Sequence, residues 1–132
     1  MEITYNTTII PSAEQIIILY EDAGLPRPTK DPERIKTMYE NSDLVVSAWD
    51  GDLLVGVSRS ITDWVWCCYL ADLAVRNDYQ GKGIGKKLLE LTREKVGEKS
   101  MVLLLSVPEA MEYYPKLGME NVQNGFIIKR EK

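Results

Sequence analysis

The chain has 132 residues, of which 45% are hydrophobic and 27% charged, with a formal net charge of −4, two cysteines and no histidine. That length suits one domain able to bury its own core, and the balance excludes disordered, coiled-coil and fibrous classes. The acidic charge argues against nucleic acid, because a phosphate-backbone binder is usually basic, and mildly favours a cationic acceptor. Without histidine, a His-based triad is excluded, and two cysteines are too few for a structural zinc site. Cys67 and Cys68 are adjacent, and a disulfide between neighbours closes a strained ring, so both are read as reduced thiols. The apolar runs at 16–19 and 101–105 are too short to span a bilayer, and residues 1–10 lack the basic-then-apolar pattern of a signal. The cytoplasm is the expected address, with no membrane partner.

Residues 2–10 read as a first strand. Pro11-Ser12-Ala13-Glu14 opens a helix with Ser12 as N-cap, its apolar stripe of Ile16, Ile17, Leu19 and Tyr20 ending at Gly24. After a loop holding Pro26 and Pro28, Asp31-Pro32-Glu33 starts a second helix, with Ile35, Met38 and Tyr39 on one face before Asn41. Residues 44–49, the turn Asp50-Gly51-Asp52 and residues 53–61 form a hairpin pattern. Residues 65–75 give a further strand. A helix from about Gly83 to Val96 puts Ile84, Leu88 and Leu91 on one side. Residues 101–107 are almost wholly apolar, the pattern of a central strand covered on both faces. Residues 108–117 read as a short helix closed by Gly118, and 125–129 as a last strand. The order β-α-α-β-β-β-α-β-α-β is that of a single mixed α/β domain over residues 1–132.

The segment that dictates a chemistry is Leu73-Ala74-Val75 followed by Gln80-Gly81-Lys82-Gly83-Ile84-Gly85-Lys86-Lys87. A helix begins with amides that have no intrahelical partner and with partial positive charge, so a start stripped of side chains receives an anion. Gly81, Gly83 and Gly85 strip it, and Lys82, Lys86 and Lys87 add charge. A pyrophosphate suits such a turn. The Rossmann fingerprint does not fit, because the spacing is G-x-G-x-G with the following acids inside the helix. A P-loop does not fit either, because Gly85 is followed by Lys86-Lys87 with no hydroxyl for magnesium.

Gln80-x-x-Gly83-x-Gly85 after Leu73-Ala74-Val75 resembles the acetyl-CoA signature of the GNAT N-acetyltransferase superfamily. Ala110-x-x-Tyr113-Tyr114-x-x-x-Gly118-Met119 resembles its second mark, and Gly56-x-x-Arg59 with Asp63 resembles a group of small bacterial members. The resemblance covers the whole chain. It implies a mostly antiparallel sheet splayed where the strand at 71–75 parts from that at 101–107, with acetyl-CoA in the opening. Pantetheine would pair with backbone at Leu73 and Val75, as an added strand does. The pyrophosphate would sit on amides of Gly81, Lys82, Gly83, Ile84, Gly85 and Lys86, with Gln80 shaping the turn.

The resemblance further implies acetyl-CoA as co-substrate, no metal, and direct attack of an amine on the thioester in a ternary complex. Tyr114 matches the tyrosine that gives a proton or hydrogen bond to the departing thiolate, while Tyr113 is expected to pack inward. Asp63, Asp72, Tyr69 and Glu109 are the candidates for a base, with Asp72 turned opposite to Leu73 by strand alternation. Arg59, Asp63 and Trp64 are candidates for acceptor contact. Arg59 and Asp63 fit a structural ion pair equally well, and Trp64 and Trp66 fit an acceptor pocket, a core or a homodimer surface. A small-molecule amine is favoured over a protein amino group. The competing class is a non-catalytic acyl-CoA-binding regulatory module.

Overall fold

The computed structural model describes residues 2–132. Its sheet has five strands in the order of the chain. They are β1 (Thr4–Asn6), β2 (Leu44–Asp50), β3 (Leu53–Thr62), β4 (Cys67–Val75) and β5 (Met101–Leu103). The first three pairings are antiparallel and β4 with β5 is parallel. The helices are α1 (Ala13–Ala23), α2 (Pro32–Glu40), α3 (Ile84–Val96) and α4 (Tyr113–Lys116).

Both faces of the sheet are covered, which is why β2 and β3 are buried along most of their length rather than alternating with water. Val45, Leu54, Val57 and Ala74 pack on Ile16, Leu19, Tyr20, Ile35 and Tyr39 of α1 and α2. Leu44, Val46, Val55 and Cys68 pack on Ile84, Leu88 and Val96 of α3. Gly56 lets α3 approach, since a Cβ there would lie 3.1 Å from Leu88 Cδ1 and 3.2 Å from Ile84 Cγ2. A hydrogen bond of 2.8 Å between the Ser58 and Thr92 hydroxyls pins the same helix to β3.

The caps follow the sequence closely. Ser12 and Gln15 form a reciprocal capping box, Gly24 ends α1 in the left-handed region, and the Asp31 side chain caps α2. Four expectations need correction. The first strand is confined to three residues because the Asn6 side-chain oxygen accepts from the amides of Thr8 and Ile9, at 2.8 and 2.7 Å, and turns the chain out of the sheet.

Residues 101–107 are not a central strand. β5 ends at Leu103 and lies at the sheet edge, where Met101 and Leu105 stay exposed, because only β4 flanks it. The stretch 108–117 divides into a 3-10 turn, Pro108–Ala110, and the single turn of α4. Residues 125–129 form no strand: the chain beyond Met119 takes no helix or strand and pairs with no strand of the sheet, leaving Phe126 and Ile128 fully exposed.

Candidate active site

The glycine turn leaves β4 through a 3-10 turn, Asn77–Tyr79, and enters α3 at Gly83. Gly81 and Gly83 have φ of 76° and 84°, the left-handed region that costs an L side chain about 1–2 kcal/mol. Among the described residues, nothing beyond the adjoining ones lies within 4 Å of a Cβ built on either glycine. The bond from the Lys87 amide to the Gly83 carbonyl, 3.0 Å, leaves the amides of Ile84, Gly85 and Lys86 ahead of it without an intrahelical partner. Lys82, Lys86 and Lys87 are exposed around them. The Gln80 side-chain amide donates to the Val75 carbonyl at 3.0 Å, tying the turn to the end of β4. An open cradle of free amides ringed by lysines fits the pyrophosphate of a coenzyme A thioester.

β4 meets β5 at only three rungs, Cys67 with Met101, Cys68 with Val102 and Tyr69 with Leu103. Just beyond, the register with β3 steps from Ser60–Leu70 to Arg59–Asp72, so Ala71 is an extra residue on β4. Such a bulge bends a strand and strengthens its twist. Leu73, Ala74 and Val75 thus lie where β4 has left β5 and still pairs with β3. That is the splay expected of the two strands, with its cause in one inserted residue.

The two tyrosines lie next to each other, their ring centroids 5.1 Å apart and edge to face. Tyr113 does not pack inward: it is 38% exposed, and its hydroxyl stands 2.5 Å from where a Cβ on Gly85 would be. The turn has a glycine there because Tyr113 occupies the space. Tyr114 is half-buried in a hollow of about 960 Å³ between the C-terminal half of α3 and the diverging end of β5. That hollow does not include the glycine turn. Burial raises both phenols above their ordinary value, and Tyr113 raises Tyr114 further, so both stay protonated donors at neutral pH.

Asp72 is removed from the candidates for a base. Its side chain is closed off from water under α1, where Arg27 Nε donates to one oxygen at 2.5 Å and Arg59 Nε to the other at 2.7 Å. Tyr20 donates to Asp72 at 2.7 Å and shares a hydrogen bond with Tyr39. Arg27 also bonds the Ala71 carbonyl at 2.8 Å, bracing the bulge, and Arg59 reaches Ser42 and lies over the Tyr39 ring. Burial pushes the Asp72 carboxyl up, but the hydrogen bond and charge of Arg59, with Tyr20 and Arg27, hold it below the ordinary range.

Arg59 therefore pairs with Asp72, not with Asp63, and lies within the fold. Asp63 caps its own loop: one oxygen accepts from the amides of Val65, Trp66 and Cys67 at 3.0, 2.8 and 3.1 Å. Those bonds, the one from Cys67 foremost, lower its carboxyl. Trp64 sits in that loop at φ 71° and is exposed, as is Trp66. Tyr69 stands exposed at the last β4–β5 rung and Glu109 on the 3-10 turn before α4. Of the vicinal cysteines, Cys67 faces out and Cys68 in.

Sequence reading missed Arg27, Tyr20, Tyr39 and Ser42 as partners of this cluster. Nothing in local spacing joins a loop arginine to an aspartate 45 residues on; strand alternation alone had hinted that Asp72 turns toward the helices. Among the described residues, no group of three or more His, Cys, Asp or Glu side chains is arranged to hold a metal. No helix among them is long and apolar enough to cross a membrane.

Comparison with known proteins adds the following. The family model described as acetyltransferase (GNAT) family matches residues 13–119. An uncharacterized N-acetyltransferase of Prochlorococcus marinus is 31% identical over 91 residues, 64% of this chain and 51% of that protein. One from Pyropia yezoensis is 28% identical over 98 residues, 70% of this chain and 55% of that protein. The chain spans about half the length of these curated relatives. Among solved structures, a protein of unknown function from Staphylococcus aureus, described as a probable acetyltransferase, superposes with a TM-score of 0.84. It is 26% identical, and the match covers 98% of this chain and all of that one. A GNAT family acetyltransferase from Streptococcus pneumoniae gives 0.79, also at 26% identity, with the same coverage of both chains.

Proposed function

The chain belongs to the acetyltransferase (GNAT) family, and on that premise we propose that it is an N-acetyltransferase taking its acetyl group from acetyl-CoA. In this reading residues 1–132 act as one domain in the cytoplasm, and the acceptor is the amine of a small molecule, acetylated directly in a ternary complex. The observation that carries the reading is the continuity of the splay and the cradle. β4 leaves β5 at the Ala71 bulge, ends at Val75 and leads through the 3-10 turn Asn77–Tyr79 into the Lys-ringed turn that begins beyond Tyr79.

Acetyl-CoA supplies an acyl group already activated as a thioester. The residues of the chain bind, orient and move protons. The amides of Gly81, Lys82, Gly83, Ile84, Gly85 and Lys86, with the lysines, hold the diphosphate. Backbone at Leu73, Ala74 and Val75 aligns the pantetheine arm along the open edge of β4 by strand addition. Fixing thioester and amine side by side makes the step effectively unimolecular, which supplies much of the rate. Tyr114 gives its proton or hydrogen bond to the departing sulfur, a role supported by its protonated state at neutral pH. Tyr113, standing at Gly85, donates to the diphosphate side of the ligand.

For the base, Tyr69 and Glu109 are the groups that remain free for it, alone or through water, since Asp72 and Asp63 are engaged by the fold. Trp64 is offered as an acceptor contact, whereas Arg59 and Asp63 support the bulge and the loop around it. Acceptors with a free primary amine, screened for release of coenzyme A thiol, test the reading. Acetyl-CoA-dependent thiol release with at least one small amine is expected. Release with none, alongside retained acetyl-CoA binding, would assign the chain to the non-catalytic class.

A further inference from the structure

Two arginines meet one carboxylate inside the fold, and together they leave one positive charge over. Asp72 holds Arg27 Nε at 2.5 Å and Arg59 Nε at 2.7 Å, and among the described residues it is the only carboxylate paired with either guanidinium. Other acids of the neighbouring elements are engaged elsewhere: Glu21 accepts from the Thr29 hydroxyl at 3.0 Å, Asp43 from the Thr62 amide at 2.9 Å and Asp63 from its own loop. The tyrosines that complete the cluster are neutral, since burial raises Tyr20 and Tyr39 above their ordinary value. A charge withdrawn from water without a partner is costly, so such a cluster favours a further anion.

The cluster is open at one place. Arg27 has 24% of its side chain exposed, and Arg59 Nη2 makes no hydrogen bond among the described residues and is not closed off from water. Both border an uncovered part of the sheet. Arg59 faces α1 and α2, because its cross-strand neighbour Val45 packs in their core. Two residues on, Ile61 shares that face by alternation, and Tyr69 lies opposite Ile61 on β4. The helices stop short of this pair, which stays 47% and 40% exposed. Tyr69 is also the last rung before β4 leaves β5, so the apolar shelf runs from the guanidinium groups to the start of the splay.

Resting on the reading of the cleft as a site of acetyl transfer, we propose that the acceptor is an amine that also carries a carboxylate, the chemistry of an amino acid. Arg59 Nη2 and the exposed part of Arg27 take the carboxylate, and the apolar part of the acceptor lies on Ile61 and Tyr69. A guanidinium matches the planar carboxylate in shape as well as charge. One carboxylate balances the one charge left over, whereas a phosphate dianion would overshoot it. The same charge repels an ammonium, which turns the amine away from the arginines toward the splay, and it favours the neutral, nucleophilic form of an amine held nearby. That suits a chain with no histidine to serve as base.

Matched acceptors test this on the wild-type chain: phenylalanine against phenethylamine, leucine against isopentylamine, and phosphoethanolamine as the phosphate arm. Each is read twice, by the melting temperature with coenzyme A present and by thiol release from acetyl-CoA. At least one acid should stabilise the chain more than its carboxylate-free partner, and its kcat/KM should be at least about tenfold higher, the worth of one hydrogen bond to a charged group. Arg59→Lys keeps a cation beside Asp72 but removes Nη2, and should cut that preference about tenfold. Carboxylate-free amines that match or exceed the acids in every pair and in both readings, phosphoethanolamine preferred to both acids, or a folded Arg59→Lys that keeps the full preference would each overturn the proposal; if the variant does not fold, the wild-type comparison decides alone. Thiol release without a preference for the acid leaves acetyl transfer standing and removes this inference only. Stabilisation by the acids without thiol release supports this inference and counts against acetyl transfer.

Discussion

On the helix-covered side of β4, Asp72 is sealed from water and meets Arg27, Arg59 and Tyr20, with Tyr39 behind them. On its outer edge, two residues away, the same strand carries backbone that β5 no longer pairs and leads into a helix start whose first amides have no side-chain cap among the described residues. The ionisable groups are spent on holding the bulge in place. The open side presents backbone amides, lysines and Tyr113. The contrast teaches that in this chain the carboxylate nearest the cleft in sequence is a scaffold element, held by two arginines and a tyrosine rather than open to a ligand.

The largest expected effect breaks the scaffold side. Asp72→Asn leaves two guanidinium groups facing a neutral amide inside the fold, and losing one partner of a buried pair costs about 3–5 kcal/mol. Thermal unfolding should fall by roughly 10 °C or more. Because the Asp72 carboxyl lies below its ordinary value in the fold, its contribution is complete above the ordinary carboxylate range. It is lost as the pH falls through the lowered value. The wild type should therefore lose stability on acidification below about pH 4, and the variant should show a flatter acid limb, as denaturant titrations at several pH values would reveal. A variant as stable as the wild type would remove the contrast between the two sides.

Next is the open side. Gly83→Glu places a charged side chain at φ 84°, in the space where an anion would sit. Calorimetric titration should find acetyl-CoA bound at least about 100-fold more weakly, about 2.7 kcal/mol. Retained affinity would move the diphosphate elsewhere. The smallest effects separate the tyrosines. Tyr114→Phe should lower kcat about 30-fold, near 2 kcal/mol, with KM for acetyl-CoA unchanged. Tyr113→Phe should raise that KM a few-fold and spare kcat. Exchanged phenotypes would exchange the two roles.

How much of this was legible follows from where each determinant lies. The caps at Ser12, Asp31 and Gly83, the Asp50-Gly51 hairpin and the turn at Gln80 are set by residues within a few positions, so the sequence displays them. Residues 101–107 and 125–129 carry strand patterns, yet a strand needs a partner edge. Apolar alternation does not name one. The Ala71 bulge has no local signature either, since it depends on how Arg59 and Asp72 come to oppose each other. Tyr113 was legible as a motif position and misread in direction, because its contact with Gly85 crosses from α4 to α3.

The central claim is that the cradle after β4 receives acetyl-CoA. The melting temperature of the wild-type chain with and without millimolar acetyl-CoA tests it most directly, since a ligand that binds only the folded state stabilises it by about 2.7 kcal/mol at 100 times its Kd. A rise of several degrees that Gly83→Glu abolishes is the predicted result. An unchanged wild-type transition at millimolar ligand would contradict it.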